Sequence, residues 1–186
     1  MTDNVFFTSD THFGHTKMLQ IRTMFKTVEE MDEAMIENWN AVVGKHDRIY
    51  HLVDFGFCQG DGLEKIRKRL NGNVFLVLGN HDKLNGKQKA LFGWVKDHHY
   101  FKVGDQKVFL FHYACLTWRT SHKGSWMLHG HSHGNLADDP NALRLDAGVD
   151  CWDFFPIGFE QVAERMKMKT FKAVDHHVLG LDESED

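Results

Sequence analysis

Seven residues able to ligate metal recur along this chain in short blocks, each placed where a strand would end. The blocks are Asp10-Thr11-His12, then Asp54, then Gly79-Asn80-His81-Asp82, then His112, then Gly130-His131-Ser132-His133. Carboxylates, an amide and neutral imidazoles together suit a pair of borderline divalent ions such as Mn²⁺, Fe²⁺ or Zn²⁺. An all-oxygen set would favour Mg²⁺ or Ca²⁺, and a thiolate set structural Zn²⁺. Two adjacent ions cleave phosphate esters by in-line attack of a metal-bound hydroxide, so phosphate-ester hydrolysis is the leading expectation.

Such blocks need rigid elements behind them. Val5-Phe6-Phe7-Thr8-Ser9 reads as a first strand ending at Asp10. Residues 28–43 read as a helix: Thr27 can cap it, Glu29 and Glu30 suit its first turn, and Gly44 follows its end. Met31, Met35, Trp39 and Val42 give it an apolar stripe at helical spacing, which points to core. Ile49-Tyr50-His51-Leu52-Val53 reads as a second strand running into Asp54. A helix over 62–70 carries the basic run Lys65, Arg67, Lys68, Arg69 on a solvated face, and Val74 to Leu78 reads as a strand buried on both sides. Strand, helix, strand, helix, strand, with a ligand block after each strand, is the layout of an α/β sheet with its site at the carboxyl ends. Further on, 100–103 and 106–111 predict a hairpin, 125–128 and 143–147 short strands, and 159–168 a last helix. The acidic end, residues 182–186, reads as a frayed tail.

Bulk properties narrow the function. With 186 residues the chain is read as one domain, 1–186, able to bury a sizeable core. A net charge of −4 argues against tight binding to long nucleic acid, though not against a nucleotide or short oligonucleotide gripped locally. The amino terminus has no signal-peptide pattern and no segment is apolar enough to span a bilayer, so the expectation is a cytoplasmic protein without a membrane partner. Cys58, Cys115 and Cys151 read as reduced thiols. Of the 14 histidines five lie in the blocks; the other nine, His51 among them, are expected on the surface or in hydrogen bonds. His15 and His122 are the exceptions to watch, because each sits near a block.

The ordered set D-x-H, D, G-N-H-D, H, G-H-x-H resembles the calcineurin-like metallophosphoesterase superfamily over Asp10 to His133. The wording Phe7-Thr8-Ser9-Asp10-Thr11-His12-Phe13-Gly14-His15 and Asp146-Ala147-Gly148-Val149-Asp150 is similar to a small bacterial and phage branch. The resemblance implies a four-layer αββα sandwich of two mixed sheets flanked by helices, with a dinuclear metal site at the strand ends. Asp10, His12 and His133 would hold one ion, Asn80, His112 and His131 the other, and Asp54 would bridge them. The residues agree on the bridge: it must be anionic to offset two dications, and Asp54 is the carboxylate at a strand end between the first and third blocks. Mn²⁺ is the first expectation for both ions, with Fe, Zn or Ni as alternatives. His81 is read as the non-ligand catalyst, protonating the leaving oxygen and stabilising charge on the phosphoryl oxygens, with Asp82 orienting its ring. Small phosphodiesters or nucleotides are the expected substrates. Arg22, Lys83, Arg119 and Lys123 are candidate phosphate partners, although basic loop residues are more often simply solvated.

Two departures from that pattern stand out. Ala114 replaces a usual Pro after His112-Tyr113, which softens a loop. Val53 replaces the usual Gly before the bridging carboxylate. A glycine there serves either a positive φ or a close approach, and Val53 in a β-prone run points to close approach and crowding beside Asp54. A weakened or inactive scaffold of the same fold is the alternative function, and a mononuclear Zn hydrolase acting on an amide or ester ranks below it.

Overall fold

The computed structural model describes residues 4–56, 61–79 and 84–174. Cys58, Asn80, His81, Asp82, Lys83 and the acidic tail lie outside the described residues. Two mixed sheets flanked by helices make up the fold, as the resemblance implied.

The first sheet is built as the alternation of strands and helices predicts. Its strands are β1 (Val5–Thr8), β2 (Arg48–His51), β3 (Asn73–Val77), β4 (Val95–Lys96) and β9 (Ile157–Gly158), in the order β4-β3-β2-β1-β9. β1 to β4 run parallel and β9 is an antiparallel edge. Helices α1 (Val28–Val42) and α2 (Gly62–Arg69) supply the crossovers. Thr27 caps α1 by accepting the Glu30 backbone N–H at 3.1 Å, and Met31, Met35 and Trp39 are buried. These pack with Ile49, Val74 and Leu76 into one apolar cluster. In the α2 basic run, Lys65 and Lys68 pair with Asp61 and Glu64 one turn earlier on the exposed face. Arg67 is the exception: it donates to the Leu70 and Gly72 carbonyls past the helix end.

The second sheet holds β5 (His99–Val103), β6 (Gln106–Leu110), β7 (Trp126–His129) and β8 (Arg144–Asp146). β5 and β6 form the expected hairpin, turning at Gly104 with φ 57°, while β6, β7 and β8 are parallel. Val108, Leu110 and Leu128 meet Phe7, Tyr50 and Val77 of the first sheet in a second cluster. Val162 and Met166 of α4 (Phe159–Lys167) join that cluster. β3 therefore feeds both clusters, as its continuous apolar run predicts. A short helix, α3 (Gly86–Lys89), precedes β4. Where the sheets meet, Ser9 bridges to Gly148 and its carbonyl accepts the Val149 N–H at 3.1 Å. That seam brings the carboxyl ends of β1, β2, β6, β7 and β8 to one edge. No helix among the described residues is long and apolar enough to cross a membrane.

Candidate functional site

The segments leaving β1 and β2 are laced together rather than loose. Asp10 N–H donates to the Val53 carbonyl at 2.7 Å, His12 N–H to Asp54 at 2.9 Å and Phe13 N–H to Phe55 at 3.0 Å. Satisfying these bonds forces unusual backbone. Asp10 (φ 56°), His12 (51°), Val53 (58°), Asp54 (49°), His131 (70°) and His133 (48°) are all left-handed, a region that costs most L-residues of order 1–3 kcal/mol each. Strain of this kind persists where the surroundings over-determine it, and it gathers at functional sites.

Val53 corrects the reading made from its sequence. Its φ of 58° shows that the position needs a left-handed residue, so the usual glycine answers conformation rather than close approach. β2 ends at His51, not Val53, and the chain has already turned before Asp54. His51 braces the turn: its Nδ1 accepts the Val53 N–H at 3.2 Å. Its Nε2 lies 2.9 Å from Thr11 Oγ1, which itself donates to Phe55 O at 2.8 Å. Burial beside His112 holds this imidazole neutral, with its pKa down at about 3. His51 is thus the structural histidine it was expected to be.

Six of the nine residues singled out as catalytic or metal-ligating lie within the described residues, and their side chains converge. His12 Nε2 faces His133 Nε2 at 3.3 Å, and His112 Nε2 faces His131 Nδ1 at 3.2 Å. Two nitrogens bound to one tetrahedral ion at about 2.05 Å would stand about 3.3 Å apart. Asp54 Oδ2 lies between the pairs, 3.9 Å from His12 Nε2 and 3.7 Å from His112 Nε2. Ligand atoms of Asp10, His12 and His133 lie within 4.8 Å of one another, as do those of Asp10, Asp54 and His112. Asn80, His81 and Asp82 lie outside the described residues. His15, expected near the cluster, has its ring 5.4 Å from that of His12.

The donor set fits a cation on several grounds. Asp10 is fully buried, and its Oδ1 has no hydrogen-bond partner among the described residues. Burial pushes its carboxyl up to about 7, so the charge is poorly compensated by protein alone. His112 Nδ1–H donates to the Leu52 carbonyl at 2.7 Å, which fixes the tautomer and leaves the Nε2 lone pair able to accept a cation. Both motif glycines make room for the cluster. A Cβ on Gly79 would stand 2.8 Å from Asp54 Oδ1, and one on Gly130 would collide with Ser9 Oγ and Asp10 Oδ2.

No family model matches the chain. The gene 66 protein of Mycobacterium phage L5 is 30% identical over 182 residues, covering 80% of this chain and 87% of that protein. The chain belongs to this gene 66 family. An uncharacterised protein of Methanocaldococcus jannaschii is 26% identical over 168 residues, covering 86% of this chain and 89% of its own length. A protein of unknown function from Aquifex aeolicus has the same fold, with a TM-score of 0.69 at 24% identity, over 88% of this chain and 99% of that one.

In this gene 66 family chain, sequence reasoning missed one part of the site and misplaced another. Arg22, read as a solvated side chain or a phosphate partner, is instead fully buried and paired to Asp150 through Nε and Nη2, both at 2.8 Å. It also donates to the backbone carbonyls of Asp10 at 2.6 Å and Thr11 at 2.9 Å. Asp150 Oδ2 in turn accepts from His133 Nδ1 at 2.7 Å, aiming the opposite ring nitrogen at His12. Burial raises the Asp150 carboxyl, but the bonds from Arg22 and His133 outweigh it and hold it well below the usual carboxylate range. The reciprocal bond raises the His133 imidazole. The available signal was Asp150 at the end of Asp146-Ala147-Gly148-Val149-Asp150, and nothing local linked it to Arg22.

Proposed function

We propose that this chain is a dinuclear metal-dependent phosphoesterase of the metallophosphoesterase type, acting on small phosphodiesters or nucleotides. The observation that carries the reading is the placement of Asp54 Oδ2 between two converging imidazole pairs at the seam of the sheets. Asp10, His12 and His133 would hold one divalent ion, His112, His131 and Asn80 the other, and Asp54 both, with Mn²⁺ ahead of Fe, Zn or Ni. Bound there, the ions would supply Lewis acidity and an activated water. The chain's own residues do the rest. Asp150 and the Leu52 carbonyl orient His133 and His112. The left-handed turns hold Asp10, His12 and Asp54 inward. His81 would protonate the leaving oxygen, with Asp82 as its partner.

The direct test is a panel assay with Mn²⁺ on aryl phosphate monoesters, aryl phosphodiesters and nucleotides. Preferential turnover of diesters or nucleotides is expected, and bound metal without turnover of any of them would favour the scaffold alternative. For His81→Ala the expected outcome is a roughly 10²–10⁴-fold drop in turnover at unchanged metal content. The deficit should shrink for substrates with a good leaving group. Metal loss in that variant would overturn its role.

A further inference from the structure

The outer face of the second sheet is unlike its inner one. Phe101, Val103, Val108 and Leu110 point into the core between the sheets. The alternate residues of the same strands therefore stand on the opposite face, and the register pairs Tyr100 with Phe109 and Lys102 with Lys107. Two like charges directly opposite cost a sheet stability, and neither lysine has an ion-pair partner among the described residues. Beside the β5 edge, Lys96 on β4 of the first sheet and Arg119 add two more cations, each held against a ring. Lys96 Nζ lies 4.7 Å from the Trp94 centroid, and the Arg119 guanidinium 4.5 Å from that of Tyr100. With His98, His99 and Asp97 they line an open groove of about 540 Å³. Asp97 there and Asp105 in the hairpin turn are the nearby acids in sequence, against four cations.

An aromatic row connects this face to the metal-ligand cluster. His98 and Phe109 rings lie 5.8 Å apart, Phe109 and Phe111 6.3 Å, Phe111 and Tyr113 5.6 Å, and Tyr113 and His131 4.7 Å. Phe109 and Phe111 are half-buried and Tyr113 is 39% exposed, so each ring of the row is partly exposed. Cations flanking ring platforms suit a single strand, whose phosphates need charge and whose bases offer a π-face regardless of sequence. An acidic peptide would use the cations but not the rings.

We infer that this face seats a short single-stranded oligonucleotide, with phosphates on Lys96, Lys102, Lys107 and Arg119 and bases along Phe109, Phe111 and Tyr113. The strand leads a phosphodiester towards the cluster. The inference rests on the phosphodiester reading of that site and names its substrate class. It agrees with a net charge of −4, because the cations are gathered along one face and its adjoining edge rather than spread for long duplex binding.

The test titrates a fluorescein-labelled oligothymidylate into the full chain in EDTA at several salt concentrations. Four phosphate contacts predict a slope of log K against log salt of about −2.8, at about −0.7 per contact for single strands. Lys102→Ala/Lys107→Ala should weaken binding at least about tenfold and flatten the slope by about 1.4. Its thermal midpoint should match or exceed the parent's, because a like-charge pair is removed. Absence of binding, a parental slope in the double variant, or equal competition by polyglutamate would overturn the inference. Turnover of an aryl phosphodiester by the parent is measured separately with Mn²⁺. Turnover without oligonucleotide binding overturns this inference alone, whereas binding without turnover overturns the phosphoesterase reading and leaves the nucleic-acid face standing.

Discussion

The two sheets contribute unequally to the same seam. The first brings both carboxylates, Asp10 and Asp54, beside the imidazole of His12; both carboxylates are buried, and Asp10 is pushed up to about 7 by that burial. The second brings imidazoles already aimed by partners: His112 by the Leu52 carbonyl and His133 by Asp150. Asp10 on one side carries a charge that costs the metal-free fold stability, whereas the imidazoles on the other are held in place by their own hydrogen-bond partners. Both sheets therefore shape the cluster, and its Asp and His groups could hold metal ions.

Substitutions separate the two sides. Asp10→Asn should abolish turnover yet stabilise the metal-free protein by an amount on the order of 1–3 kcal/mol at pH 8. The sign follows from the raised folded pKa: between the unfolded value near 4 and about 7 the folded state binds more protons, so Asp10 loses the parent stability as pH rises. The advantage of the Asn variant should grow over that window and level off above it, as read by thermal unfolding in EDTA. A variant less stable than the parent at pH 8 would break the contrast. On the opposite side, Asp150→Asn should weaken metal binding about 10–100-fold by loosening His133. It should also lower the melting temperature, because Arg22, 1% exposed, loses its paired carboxylate. Isothermal titration with Mn²⁺ reads the first effect, and unchanged affinity would mean that His133 needs no such support.

The smallest effect lies at Val53. Replacing it with Gly relieves the left-handed backbone but removes a fully buried side chain, so the net loss should be on the order of 1 kcal/mol. The sharper readout is the order of two variants. Val53→Gly should be more stable than Val53→Ala by about 1 kcal/mol, the reverse of the order in ordinary strand backbone. The opposite order in chemical denaturation would mean that the turn is not strained.

How far the sequence carries the reader differs between these parts. α1 was legible because its cap, acidic first turn and apolar spacing agree, and β3 because a continuous apolar run has few other homes. β4 and β9 were not, since two-residue strands exist because a neighbouring edge offers hydrogen bonds. The blocks around Asp10, Asp54, His112, His131 and His133 converge as their spacing suggested. Val53 misled because its β preference is local, whereas its φ is set by bonds to Asp10 and His51. Arg22 and Asp150 are 128 positions apart, and no local pattern encodes such a pair.

The bridging role proposed for Asp54 is read most directly by counting metal. After loading with Mn²⁺ and removal of free ion, elemental analysis of the parent should give two ions per chain, and Asp54→Asn one or none, with turnover lost in step. Two ions per chain and near-parental turnover in Asp54→Asn would contradict the account.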